Sequence, residues 1–144
     1  MDHNEIKILL VDDEEDSRLL IREAIEEARV SNGVYEVGSG EEALDFLYRR
    51  GKYTNAPRPG LIYLDIQMPG MSGQEVLKQI KSNEDFKDIA VVMMTGLDDS
   101  EEKKLAAQNG ANSYTVKPSN PEEFLRTVIE ATNYWLKIHR YPNS

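Results

Sequence analysis

The chain has 144 residues, 40% of them hydrophobic and 30% charged, which is the size and make-up of one globular domain with a core of its own. Its formal net charge of −9 speaks against a nucleic-acid backbone as partner, since that needs a basic face. It has no cysteine, which excludes a disulfide framework and a thiolate metal site, and the N-terminal apolar run at residues 8–11 is too short for a signal peptide or a membrane span, so a cytoplasmic protein is expected.

Residues 6–11 read as a first buried strand that runs into five consecutive acids, Asp12 to Asp16. Such a run suits a helix N-terminus, where carboxylates meet the helix dipole and the free N–H groups. Over residues 16–28, Leu20, Ile21, Ala24, Ile25 and Ala28 recur at helical spacing. Ser31-Asn32-Gly33 ends that helix, and residues 34–37 make a short second strand. Ser39 and Glu42 form a capping box for a helix with Ala43, Leu44, Leu47 and Tyr48 on one face. Residues 51–60, with Gly51, Pro57, Pro59 and Gly60, read as a surface loop.

A third strand, Leu61 to Leu64, lies between Pro59-Gly60 and Pro69-Gly70 and ends in Asp65. Ser72 can cap a helix whose face is Val76, Leu77 and Ile80. Residues 89–94 are apolar throughout, a fourth strand closed by Thr95-Gly96. Asp99 and Glu102 repeat the capping-box signature before a polar helix with only Leu105, Ala106 and Ala107 to bury, and Asn109-Gly110 stops it. Residues 113–116 form a fifth strand, closed by Lys117-Pro118. Ser119 or Asn120 caps a last helix, with Pro121 in its first turn, running to about Ile138. Its core face is Leu125, Val128, Ile129, Thr132 and Leu136. A second seam is Phe124, Val128, Ala131, Trp135 and Ile138, with Tyr134 and Tyr141 nearby. Strand and helix thus alternate five times, which predicts an α/β fold: a parallel sheet covered on both faces, with right-handed crossovers.

In an open parallel sheet, ligands bind outside the carboxyl ends of the strands. Asp12-Asp13, Asp65, Thr95 and Lys117 all fall at such ends. Each has an ordinary reading when taken alone. A strand-ending Asp is commonly a turn residue, Thr95 a turn hydroxyl, Lys117 a surface lysine, Tyr114 a strand residue with a half-buried ring and Gln67 a turn residue. Their joint placement is what those readings leave unexplained. Asp12, Asp13 and Asp65 together would repel one another. A divalent cation relieves that repulsion, and oxygen donors without Cys or His suit magnesium over zinc. With magnesium and Lys117 the charges sum to zero, and the site can accept a phosphoryl group. His3 and His139, near the termini, read as solvated.

Asp12-Asp13, Asp65, Thr95 and Lys117-Pro118, at these intervals and with Tyr114 just before the lysine, resemble the receiver domain of two-component response regulators over residues 6 to about 133. The resemblance implies a flavodoxin-like, doubly wound, five-stranded parallel sheet in the order 2-1-3-4-5, flanked by five helices. It implies that Asp65 is the nucleophile toward the phosphohistidine of a sensor histidine kinase. Mg2+ would be held by Asp13 and Asp65, with Asp12 close by and the backbone carbonyl of Gln67 as a further ligand. Lys117 and the Thr95 hydroxyl would meet the phosphoryl oxygens, Gly96 would keep the approach open, Thr95 and Tyr114 would form the switch, and Lys117-Pro118 would be cis. The interval between Asp13 and Asp65 is longer than the family's usual one, and the 51–60 loop takes up the difference. That loop and the aromatic last helix resemble the small stand-alone receivers that partner bacterial phytochromes, which points to a phytochrome-type photoreceptor as the kinase.

The chain is therefore expected to be a single receiver domain over 1–144, with a core of about 6–133 and an extended helix and tail of about 134–144. It would catalyse only its own phosphotransfer and dephosphorylation. No output domain is expected beyond Lys117, so the signal would leave by protein contacts, with neither DNA nor membrane as a direct partner. A homodimer through the Trp135 seam competes with Trp135 folding back onto its own domain. Two other functions stay open: a receiver-like module that binds without phosphorylation, and an aspartyl-phosphate hydrolase of the haloacid dehalogenase type. The latter usually carries a second Asp two residues after the nucleophile, where Gln67 stands here.

Overall fold

Five strands, β1 (Ile8–Val11), β2 (Val34–Val37), β3 (Leu61–Asp65), β4 (Ala90–Thr95) and β5 (Ser113–Val116), alternate with five helices in a computed structural model. The structure describes residues 6–28, 33–96 and 98–138. The helices are α1 (Glu15–Glu27), α2 (Gly40–Tyr48), α3 (Gly73–Ser82), α4 (Ser100–Gln108) and α5 (Pro121–Asn133). All neighbouring strands are parallel, in the order β2-β1-β3-β4-β5, as expected for a doubly wound sheet.

Side chains alternate across the sheet with the strand period of two. Leu9, Val11, Ile62, Leu64, Val91 and Met93 face α2 and α3, where Leu44, Leu47, Val76, Leu77 and Ile80 close one core. Ile8, Leu10, Leu61, Tyr63, Val92 and Met94 face the other side, against Ile21, Ala24 and Ile25 of α1 and Phe124 and Val128 of α5. The register pairs Val11 with Leu64 and Leu64 with Met93. It therefore delivers Asp12 and Asp65 side by side at one rim, with Thr95 beside Val116 and Lys117 one step on.

Capping matches the sequence closely. Ser39 Oγ accepts the Glu42 N–H, Ser72 Oγ accepts that of Glu75, Asp99 accepts those of Glu101 and Glu102, and Asn120 those of Glu122 and Glu123. Several packing expectations need correction. In α2 it is Phe46 that is buried rather than Tyr48, because Tyr53, in a short 3-10 turn of the 51–60 loop, covers the Phe46 ring. Tyr48 stays exposed, edge-on to Phe86. In α4 only Ala106 is buried, and Leu105 is 42% exposed, because this nine-residue helix at the sheet margin offers a single line of contact. The buried face of the last helix is Phe124, Val128 and Thr132, followed by Trp135. Leu125, Ile129 and Leu136 are half-buried. The helix widens into a π-helical turn at Tyr134–Ile138, and Trp135, on the same helical face as Phe124 and Val128, lies in its own domain's core at 7% exposure. Among the described residues no peptide bond is cis, so Lys117-Pro118 takes the trans form that a tertiary amide ordinarily prefers. Ser31, Asn32, His3, His139, Tyr141 and the Ile138 side chain lie outside the described residues.

One buried polar contact crosses the α5 side of the core. The Tyr63 hydroxyl of β3 and Thr132 Oγ1 of α5 lie 2.6 Å apart, with both residues fully enclosed. Thr132→Val strands a phenol in an apolar core and is expected to cost about 2–3 kcal/mol. Tyr63→Phe is expected to cost about 1 kcal/mol, because the threonine hydroxyl can turn to a carbonyl of its own helix. The double replacement is expected to be less costly than the sum of the two, as measured by urea denaturation of all four proteins; strict additivity would contradict the contact.

Candidate functional site

The acidic rim is built by chain direction. β1 ends at Val11, and the next residue, Asp12, is held on every polar side. Its N–H donates to the Val37 carbonyl at 3.3 Å. Its Oδ1 accepts the Glu14 N–H at 2.9 Å, its Oδ2 accepts Lys117 Nζ at 2.7 Å, and its carbonyl accepts Arg18 Nη1 at 2.5 Å. Asp65 closes β3, and α3 begins hard against it. A Cβ on Gly73 would stand 2.1 Å from the Asp65 carbonyl oxygen, so only glycine fits there. Asp12 and Asp65 are 2% and 6% exposed, while Asp13 is exposed.

One carboxylate oxygen from each of Asp12, Asp13 and Asp65 lies within 4.8 Å of the others. Lys117 Nζ bridges two of the three, at 2.7 Å from Asp12 and 4.0 Å from Asp65, and also reaches Ser17 Oγ at 3.4 Å. Burial pushes the Asp65 carboxyl up to about 6; Lys117 opposes this, Asp12 adds to it, the Gln67 N–H that bonds Asp65 opposes it, and Asp13 adds a little more. Residual repulsion of this kind among oxygen donors, with no sulfur or imidazole in the group, fits a hard divalent cation such as magnesium or manganese. Asp12 already spends one oxygen on Glu14 and the other on Lys117, so Asp13 and Asp65 have the freer lone pairs.

The remaining expected residues are placed around this centre. Thr95 ends β4, is fully buried, and its carbonyl accepts the Lys117 N–H at 2.6 Å. Gln67 is exposed, two residues beyond Asp65, and its N–H bonds that carboxylate. A Cβ on Gly96 would meet nothing within 4 Å, so no contact in this state demands glycine there. Tyr114 stands apart from the acids. Its half-buried ring packs on the α2–α3 core, and the Asp99 main chain at the start of α4 bonds its hydroxyl. Burial first, and then Glu102, Asp99 and Asp98, push that phenol up. Arg18, Ser17 and Glu36 carry no signal in the sequence, where they read as polar positions of an amphipathic helix and an edge strand.

A family model described as the response regulator receiver domain matches residues 8–129. Response regulator Rcp1 of Synechocystis sp. is 32% identical over 135 residues, covering 94% of this chain and 92% of its own. The Mn2+-bound form of Rcp1 superposes with a TM-score of 0.90 at 31% identity, over 95% of this chain and 99% of that one. The phosphorylated cyanobacterial phytochrome response regulator RcpA gives a TM-score of 0.92 at 33% identity, over 96% and 99%.

The raised Asp65 value has a consequence for stability. Below about pH 4 the carboxyl is protonated in both the folded and the unfolded chain. Between there and about 6 the folded chain keeps a proton that the unfolded chain has lost, so the stability Asp65 contributes is lost as pH rises through that window. Asp65→Asn, which cannot ionise, is expected to be about 2 kcal/mol more stable than wild type at pH 7.5 in a chelating buffer. The difference should shrink as pH falls from 6 toward 4. Denaturant titrations across this range provide the check, and an Asn variant no more stable at pH 7.5 would contradict the assignment.

Proposed function

The chain belongs to the response regulator receiver domain family, and on that premise we propose that it accepts a phosphoryl group onto Asp65 from a phosphohistidine of a sensor histidine kinase. The observation that carries this reading is the Asp65 carboxylate itself: buried at the end of β3, within 4.8 Å of Asp12 and Asp13 oxygens, and 4.0 Å from the Lys117 ammonium. An Asp65 oxygen forms the new bond to phosphorus while the phosphorus–nitrogen bond to the kinase histidine breaks, the electron pair leaving on the imidazole. Asp13 and Asp65, with Asp12 and the Gln67 carbonyl beside them, would hold Mg2+, which would supply charge compensation for the carboxylates and the incoming phosphoryl oxygens.

Lys117 is the mobile counter-charge. In the resting arrangement its ammonium sits on Asp12; a phosphoryl group on Asp65 offers it a stronger partner. The Thr95 hydroxyl, on the neighbouring strand end, donates to another phosphoryl oxygen. Tyr114, two strands away from Asp65 and tied to the start of α4, then changes its seat, and a bias of a few kcal/mol suffices to shift such a two-state element. The signal leaves through altered contacts of the α4 and β5 surface with another protein. A phytochrome-type photoreceptor as the kinase is supported by the likeness to RcpA, a phytochrome response regulator. A cytoplasmic location goes with such a partner, and no described helix is long and apolar enough to cross a membrane. A homodimer through the last helix would use Tyr134, 45% exposed and stacked edge-on against buried Trp135.

Incubation with radiolabelled acetyl phosphate and Mg2+ is expected to give one acid-stable, base-labile label per chain. Asp65→Asn or a chelator should remove it, and persistent labelling of Asp65→Asn would refute the proposal. Lys117→Ala and Thr95→Ala are expected to keep the wild-type circular dichroism spectrum but to lose the phosphorylation-dependent change in sedimentation or partner affinity. Wild-type-like coupling in Thr95→Ala would contradict its role.

A further inference from the structure

Two facts about the rim are not used by the phosphoryl chemistry. The Asp12 carbonyl is held by a side chain rather than by a sheet partner, and that side chain is itself clamped. Arg18 of α1 directs Nη1 to the Asp12 carbonyl at 2.5 Å and Nε to Glu36 Oε1 of β2 at 3.1 Å. The other Glu36 oxygen is taken by Arg22, one turn further along α1. Both Arg18 and Glu36 are largely covered, their side chains 19% and 24% exposed. A guanidinium is planar, so two of its nitrogens acting in different directions fix its orientation; an ammonium on a flexible stem cannot do this.

The carbonyl concerned belongs to the peptide unit between Asp12 and Asp13. A peptide unit is planar, so orienting its oxygen also orients the direction in which the chain leaves toward the Asp13 Cα. Asp12 has its own anchors at Glu14 and Lys117. Asp13 is exposed, and its approach to Asp65 therefore depends on how that plane is set. Resting on the reading that Asp13 and Asp65 take a divalent cation, we propose that Arg18, anchored by Glu36, is a positioning residue that sets the Asp12–Asp13 peptide plane and so holds the Asp13 carboxylate at the cation site. Arg18 touches neither the cation nor the phosphoryl group. Its effect runs against its charge: a cation beside a divalent site weakens binding through space, whereas a positioning clamp strengthens it.

The test uses Mn2+ alone as probe, with free Mn2+ counted by electron paramagnetic resonance in the absence of any phosphodonor. Arg18→Lys and Glu36→Asp keep every charge and disturb only the clamp. Both are expected to raise the Mn2+ dissociation constant on the order of tenfold, the usual consequence of removing a group that orients a metal ligand, with unchanged circular dichroism. Arg22→Ala removes a positive charge from the same glutamate without touching Asp12, and is expected to bind Mn2+ as well as wild type or slightly more tightly. Arg18→Lys and Glu36→Asp that both bind Mn2+ like wild type overturn the clamp while leaving the cation site standing. A wild type that takes up no Mn2+ overturns the clamp and the reading beneath it together. Should one of the two variants fail to fold, the other decides on its own.

Discussion

One ammonium group answers for two buried carboxylates. Lys117, at the end of β5, lies 2.7 Å from Asp12 and 4.0 Å from Asp65, and both acids are almost fully enclosed. Taking carboxylates out of water is costly unless they are paired and hydrogen-bonded. Asp12 meets both conditions and Asp65 meets them in part, which is why the carboxyl of Asp65 is displaced upward while it remains able to ionise near neutral pH. The rim is thus left under-compensated by its own sheet.

The fold is what forces this arrangement. Parallel pairing of β1, β3, β4 and β5 in a fixed register brings the residue after Val11, the last residue of β3, the last of β4 and the residue after Val116 to the same edge. A one-residue slip would send each of them to another place and turn the apolar side chains to the wrong face. The helices add constraints of their own. The N-terminus of α3 packs against the Asp65 carbonyl so closely that Gly73 admits no side chain. The first turns of α1 supply the Glu14 N–H and the Arg18 guanidinium to Asp12.

Much of this was legible in the sequence because the signals are local. The bounds of β3 come from an apolar run closed by turn residues and those of β2 and β5 from short stretches of strand-forming residues between turn residues, the caps at Ser39, Ser72, Asp99 and Ser119 or Asn120 from short-range hydrogen bonding, and the rim residues from the polar positions that close the strands. What escaped is non-local. The Lys117–Asp12 contact joins residues 105 apart in the chain, the Tyr63–Thr132 bond residues 69 apart and the Arg18–Glu36 pair residues 18 apart; no periodicity encodes such pairs. Helical spacing alone could not tell that Tyr53 from a loop would cover Phe46, nor whether the Trp135 seam would face its own core or a second chain. The trans Lys117-Pro118 bond departs from what the family likeness implied.

Burial and Lys117 act against each other on the Asp65 carboxylate, and side-chain carbon NMR measures this directly. In a chelating buffer, the Asp65 carboxyl carbon is expected to titrate with a midpoint near 6, well above the ordinary value of about 3.9. In Lys117→Ala the midpoint should rise further, because the opposing ammonium is gone. An ordinary midpoint in the wild type, or one that does not move when Lys117 is removed, would contradict the account.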